Sequence, residues 1–493
     1  MDMTYEESLL RKETEVRDLL FPVLKKYNQD PVWQSIIAPP ENFAYRNKME
    51  FTFGDEVKDG PLTLGMHKKG RFHDIVSVTD CQIVDEDFRL ILRKTLEYFS
   101  PLYEKGEVKY YHRKRQGGYL RHLLVRKGIN SGQILVDLVT TTQIKFDLSG
   151  YIEALLALKS ELTGTIVGIL NTRNDALADA IIDEGTELLY GTDSFEESLL
   201  GIKFKVTPFS FFQTNSKGAE VLYEKVREYV KKCVDEQEVE KVKTLFDLYC
   251  GTGTITQLMS PVADKVSGIE IVPEAVEAAK ENAIRNNIKN TEFICGDVLK
   301  KIDELKALNP EIIILDPPRD GINPKALPKI ISFGAKNIIY VACKPKSLAR
   351  DLPFIIEHGY EVKFVVSVDQ FPWTKHVETV ALLSRKASDS HANVKAEFDE
   401  GKGKVPIDKM AESAEKYDPK EKITYKKIKE YIEEKYGFKV HTAYIAEVKR
   451  EFGLPMYDAT NTVKELRNSK VHPPKEKVKA ITDALIHFDL ISK

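Results

Sequence analysis

The stretch Thr244–Glu270, TLFDLYCGTGTITQLMSPVADKVSGIE, constrains this chain more than any other. Leu245–Leu248 is a short apolar run carrying Asp247, and Gly251 and Gly253 follow at once. Glycines directly after a buried strand let the backbone turn sharply and let a ligand come close. Thr254–Met259 reads as a helix opening, and Val266–Ile269 as a second strand that ends on an acid, Glu270. An acid about 20 residues past such a turn is the ribose-hydroxyl acceptor of nucleoside-binding α/β folds. The third glycine of a dinucleotide fingerprint is missing, so no pyrophosphate cradle is expected. An ordinary βα turn is the plainer alternative; strand, glycines and spaced acid together favour a nucleoside site.

Around this stretch, strand and helix patterns alternate. Seven strands are expected, at Thr244, Val266, Glu292–Ile294, Ile312–Leu315, Asn337–Val341, Val362–Val368 and Thr379–Leu383. That is a doubly wound sheet, whose ligand lies outside the carboxyl ends of its strands. The polar motifs fall at such ends: Asp247–Gly253, Glu270, Asp297, Asp316-Pro317-Pro318-Arg319 and Cys343. A cysteine at a strand end beside cations, here Lys344, suits a reactive thiolate. A lone cysteine is more often inert core.

The rest of the chain divides by pattern. Residues 1–37 read as an amphipathic helix and a connector, with Leu9, Leu10, Val16, Leu19, Leu20, Val23 and Leu24 as the apolar stripe. Residues 38–205 read as an α+β region. Within it, Lys109–Lys127 contains no acid and carries Lys109, Arg113, Lys114, Arg115, Arg121, Arg126 and Lys127 among Tyr110, Tyr111 and Tyr119. Gly117-Gly118 reads as a hairpin turn. Cations for phosphates and rings for bases suit single-stranded RNA, although a charge run is usually a solvated face. Asn171–Asn174 is a polar cluster suited to lining a cleft. Residues 206–387 hold the sheet domain; the phenylalanines of Pro208–Asn215, PFSFFQTN, read as core, while Gln213 needs a polar partner if buried. Residues 388–418 read as a flexible linker and 419–493 as a small helical module of three helices.

At 493 residues the chain is too long for one core. Its net charge of −3 means that a nucleic-acid site must be a local patch. Five scattered cysteines without C-x-x-C spacing argue against a disulfide framework, a zinc site or a metal cluster, and for a reducing compartment. No signal peptide fits the N-terminus and no apolar run approaches membrane-spanning length, so a cytoplasmic protein is expected.

Acid-Pro-Pro at a buried strand end is frequent in methyltransferases acting on planar nitrogen, where the fourth residue is usually aromatic; here it is Arg319. The motifs in sequence say more. Gln213 in FFQTN, DLYCGTGT, LDPPRDG, YVACKPKSLARDL and FPWTKHVETVALL resemble, in order, the motifs of the RNA uracil-5-methyltransferases that act on bacterial 23S ribosomal RNA and on tRNA. The resemblance spans residues 38–387. It implies a Rossmann-like seven-strand S-adenosylmethionine methyltransferase domain, preceded by an α+β RNA-binding region. It implies Cys343 as nucleophile, Glu378 as base, and Gln213, Tyr249, Glu270 and Asp316 as S-adenosylmethionine contacts. It implies RNA as partner, with 23S rRNA first and tRNA as the alternative, and a monomer. The chain departs from the family in having Ala342-Cys343-Lys344-Pro345 where Ser-Cys-Asn-Pro is usual. It also lacks the N-terminal β-barrel and the cysteine quartet of some members. Two readings from other classes stay open: a catalytically silent RNA-binding protein, and a nitrogen methyltransferase in which Cys343 is incidental.

Overall fold

The computed structural model describes residues 3–236, 240–298, 301, 305–386, 425–438, 440, 442–451 and 474–488. They fall into two compact units, Met1–Asp389 and Ser390–Lys493. The expected linker at 388–418 lies outside the described residues.

The first unit contains the strands β1 (Val32–Trp33), β2 (Lys48–Gly54), β3 (Thr63–Lys68), β4 (Arg71–Ser77), β5 (Leu120–Lys127), β6 (Gln133–Thr140), β7 (Thr165–Arg173), β8 (Thr186–Gly191), β9 (Phe195–Leu199), β10 (Ile202–Val206), β11 (Val242–Leu248), β12 (Ala263–Glu270), β13 (Thr291–Cys295), β14 (Ile312–Leu315), β15 (Asn337–Ala342), β16 (Tyr360–Val368) and β17 (Glu378–Arg385). One sheet runs β4-β3-β2-β5-β6-β7-β8. It is antiparallel except for β6 beside β7, and the helix Ser149–Leu156 supplies the crossover that a parallel pair requires. The larger sheet runs β1-β16-β17-β15-β14-β11-β12-β13. All seven expected strands are in it. The eighth, β1, pairs in parallel with β16 at the edge; two residues carry no periodicity by which to find it.

Strand alternation divides the apolar side chains between the two faces of this sheet. Ile312, Ile314, Ile339 and Val341 pack with the helix Ser216–Asp235 on one face. Ile313, Leu315, Ile338 and Tyr340 pack on the other with Val16, Leu20 and Leu24 of the N-terminal helix Tyr5–Lys26. Leu10, counted in the apolar stripe, is 66% exposed. That helix also makes polar contacts. Lys12 Nζ donates to Asp369 Oδ1 at 2.6 Å and to the Phe371 carbonyl at 3.0 Å, and the Tyr5 hydroxyl donates to Asp369 Oδ2 at 2.9 Å. These bonds fasten the start of the loop that ends at Glu378.

The basic segment turns differently from expectation. His112 bridges Gly117, so the turn is Arg113–Gln116, and the glycine pair follows it. Gly118 is required for another reason: at φ +131, a Cβ there would stand 2.1 Å from the Tyr110 carbonyl oxygen.

In the second unit, the helices Tyr425–Tyr436, Thr442–Glu451 and Lys475–His487 share a core of Ile428, Ile432, Ile445, Val448, Ile481 and Leu485. Gly437 at φ +73 ends the first helix as a left-handed cap.

Candidate active site

Strand order reverses between β11 and β14, the place where an open α/β sheet forms its ligand crevice. Parallel β11, β12, β14 and β15 bring Tyr249, Glu270, Asp316 and Cys343 to one rim. β17 runs antiparallel to β15 with Ala342 opposite Thr379, so the next pair outward is Cys343 and Glu378.

On one side of the reversal the turn is built for a ligand with hydroxyl and amino donors. Tyr249 takes the left-handed region at φ +69, a conformation uncommon outside glycine and concentrated at functional sites. Gly251 follows at φ +53, and a Cβ there would meet nothing within 4 Å: the space in front of the turn is open. Gly253 serves packing, since its Cβ would lie 2.5 Å from the Phe293 ring. Glu270 is fixed by three backbone N–H groups, from Gly251 at 3.1 Å, Ile271 at 2.8 Å and Val272 at 2.9 Å. Asp247 is buried; its Oδ2 accepts from Thr256 at 2.6 Å, while Oδ1 has no protein partner. Gln213 is half-buried, and its amide acts on the buried Tyr223 hydroxyl. Two carboxylates, Asp247 and Glu270, and an amide around an open glycine turn fit the ribose hydroxyls and ammonium group of S-adenosylmethionine.

On the other side, acids and a thiol meet. Burial and the neighbouring Asp316 push Glu378 up to about 8, against the opposing pull of Arg319. Burial pushes Asp316 up to about 7. Glu378 Oε2 is buried without a partner. Burial, Glu378 and Asp316 push the Cys343 thiol up to about 11, with Arg319 pulling the other way. The expected thiolate-favouring cation, Lys344, is instead exposed at the N-cap of the helix Pro345–Glu357. Arg319, noted in the sequence only as a departure from an aromatic pattern, is the cation that acts on both Cys343 and Glu378. Arg319, Lys375, Lys12 and Arg46 all oppose protonation of His376, whose pKa is lowered first by burial. Exposed Arg319 and Lys375 and half-exposed Arg46 make a cationic rim that no single motif revealed, while Lys12 is buried against Asp369.

The chain matches the family described as tRNA (Uracil-5-)-methyltransferase over residues 185–386. An uncharacterized RNA methyltransferase of Clostridium tetani is 49% identical over 386 residues, covering 78% of this chain and 81% of the relative. One from Clostridium acetobutylicum is 49% identical over 388 residues, covering 78% and 80%. The chain belongs to the RNA (uracil-5-)-methyltransferase family. The fold is shared with the crystal structure of Pyrococcus abyssi tRNA (uracil-54, C5)-methyltransferase in complex with S-adenosyl-L-homocysteine. That likeness has a TM-score of 0.60 at 24% identity and covers 77% of this chain and 84% of the other. S-adenosylmethionine is the methyl donor of this family.

In this methyltransferase the basic segment splits into two kinds of cation. Arg121, Arg126 and Lys127 are buried, contrary to their assignment to an RNA surface. Arg121 donates to the carbonyls of Asn174, Ala176 and Ala178, each at 2.7 Å; Asn171, Thr172 and Asn174 of the polar cluster are buried in internal packing, while Arg173 is exposed. Lys127 pairs with Asp87 at 2.6 Å and with Asp85. Arg126 donates to the carbonyls of Thr207 at 2.6 Å, Pro208 at 3.1 Å and Ser210 at 2.8 Å. Those carbonyls lead into Gln213, whose own carbonyl accepts from Asn47 Nδ2 at 2.9 Å. The loop is therefore held by its carbonyls and not by its rings: Phe212 is buried, but Phe211 is 71% and Phe209 38% exposed, where core packing was expected. Arg126→Leu removes the donor from three carbonyls, one buried and two part-buried. It is expected to lower stability by about 3 kcal/mol in denaturant unfolding and to weaken S-adenosylmethionine binding measured by calorimetry.

Proposed function

We propose that this protein methylates carbon 5 of a uridine in 23S ribosomal RNA through a covalent adduct between Cys343 and carbon 6 of the base. The observation that supports this most is the register that sets Cys343 across from Glu378 beside Asp316. Carbon 5 of uracil is a poor nucleophile while the ring is conjugated. Once the thiol has lost its proton to solvent, addition of the Cys343 thiolate to carbon 6 gives an enolate and places electron density on carbon 5. S-adenosylmethionine supplies the electrophilic methyl group, with Gln213, Tyr249, Glu270 and Asp316 as the residues that would hold it. Glu378 takes the remaining proton of carbon 5, after which the bond from sulfur to carbon 6 breaks. A buried carboxyl whose pKa is near 8 is matched to that task. The uridine must leave its stack to reach the crevice, which loops allow at least cost.

The ordered resemblance of five motifs, common to members that act on 23S rRNA and on tRNA, supports the uracil-5 reaction, with 23S rRNA as the first substrate reading. The family description and the Pyrococcus abyssi structure, both named for tRNA, favour tRNA as the second. Five free cysteines suit a reducing, cytoplasmic setting, and a monomer is part of the same reading. The test is to incubate the protein with labelled S-adenosylmethionine and unmodified 23S rRNA or tRNA, digest, and identify the nucleoside. Label in 5-methyluridine from 23S rRNA is expected. Label confined to tRNA selects the second reading, and label on a base nitrogen overturns both.

A further inference from the structure

A second cleft of about 430 Å³ opens in the smaller sheet, within the size range of small-ligand sites. Its walls are the end of β2 at Thr52–Asp55 and the segment Tyr110–Arg115, with Arg121 and His122 of β5 behind them. Asn47, which touches the Gln213 loop, precedes β2, and the cleft begins five residues further along. At the rise of an extended strand, Thr52 at the cleft lies about 17 Å from Asn47. We infer that this cleft binds a second nucleotide of the RNA substrate, one other than the methylated uridine; the inference rests on the RNA reading above.

Three features carry it. The rings of Tyr103, Tyr110 and His112 form a column: Tyr103 and Tyr110 have centroids 6.0 Å apart at 25°, and Tyr110 and His112 6.4 Å apart at 27°. The column ends in the cleft at half-exposed His112, where a base continues the stack. The turn beyond it presents Lys114 and Arg115, both exposed, at the mouth of the cleft, where a phosphate lies next to a stacked base. Of the four acids that line the cleft, Asp55 and Asp179 are engaged by the protein, while Asp59 is exposed and Asp74 half-exposed. Asp55 Oδ2 accepts from the Tyr110 hydroxyl at 2.9 Å and the Asp59 N–H at 2.8 Å. Asp179 pairs with His67 at 2.8 Å and Arg113 at 3.6 Å. Buried Arg121, 4.5 Å from the Tyr111 ring centre and bonded to three carbonyls, makes the rear wall rigid.

The probe is a fluorescent twelve-nucleotide RNA without uridine, which the methylation site has no base to hold. Anisotropy is read with the full chain over a salt series. Arg115→Ala and His112→Ala are each expected to weaken binding about ten-fold, with S-adenosylmethionine affinity and Tm unchanged. Lys114→Ala with Arg115→Ala is expected to flatten the dependence of log K on log salt by about 1.4, the value for two lost phosphate contacts on a single strand. Unchanged affinity in both single variants overturns the inference, as does an unchanged salt slope in the double variant. If the variants behave as expected while no 5-methyluridine forms on any RNA, the cleft stands and the proposed reaction falls. If 5-methyluridine forms and the variants bind the probe like the parent protein, the reverse holds.

Discussion

Cys343→Ala is expected to abolish RNA methylation, by four orders of magnitude or more, the scale on which loss of a covalent nucleophile is felt. S-adenosylmethionine affinity should stay within two-fold, because the thiol lies across the strand reversal from the Gly251 turn and Glu270. No other thiol replaces it at the end of β15. Cys233 and Cys250 are buried, with thiols pushed up by that burial, Cys81 packs against the core of the smaller sheet, and Cys295 lies at the end of β13, the far edge strand of the larger sheet. The parent protein should trap RNA containing 5-fluorouridine as an SDS-stable adduct, since fluorine cannot leave carbon 5 as a proton does; the alanine variant should trap none. Full activity in Cys343→Ala would sink the covalent reaction and return the nitrogen-methyltransferase reading. The raised thiol adds a second expectation. In the protein alone, burial, Glu378 and Asp316 all oppose ionisation and Arg319 favours it. Arg319→Ala should therefore slow adduct formation, measured as the single-turnover rate with 5-fluorouridine RNA, by about ten-fold.

The parts of this fold that were legible are those whose signal is local and repeated. The strand, glycine turn and spaced acid of Thr244–Glu270 give β11, the open Gly251 turn and the tethered Glu270 as read. A strand end states where a side chain emerges, so Tyr249, Glu270, Asp316 and Cys343 on parallel strands converge without knowledge of packing. What was illegible is which way a charge faces. Arg113 and Arg126 look alike in a segment without acids, yet Arg126 lies inside a strand whose residues are all buried, and its partners are carbonyls 81 to 84 positions away. Arg115 lies in a turn and stays exposed. Carbonyl acceptors leave no trace in side-chain chemistry, so a charge count cannot find them. The same applies to Lys12, whose partner Asp369 is 357 positions away. It reads as one more polar residue on an amphipathic helix, when in fact it is buried at 1% exposure.

Glu378→Gln is expected to stop the reaction one step later than Cys343→Ala and to make the protein more stable. Without a base, carbon 5 keeps its proton after methyl transfer and the sulfur cannot leave. The variant should therefore accumulate an SDS-stable adduct on ordinary uridine RNA, carrying the labelled methyl group, while release of 5-methyluridine falls by about three orders of magnitude. The stability gain follows from where the proton resides. The unfolded chain releases it near 4.5, whereas the buried native carboxyl keeps it up to about 8. Between those values the native state binds more protons than the unfolded state, so stability declines as pH rises, and the full penalty is present above about 8. A rise from 4.5 to about 8 corresponds to at most about 5 kcal/mol, and the unmet N–H donors of a buried amide take back part of it. Denaturant unfolding at pH 8.5 should show Glu378→Gln more stable than the parent by about 2 kcal/mol, with the difference vanishing near pH 4.5. Methylation by the parent should rise with pH through about 8 and go on rising toward about 11, because the base and the thiol each act only once their proton is gone. A variant that is destabilised at pH 8.5 and leaves no adduct would show that Glu378 serves the packing of β17 and not the chemistry of the crevice.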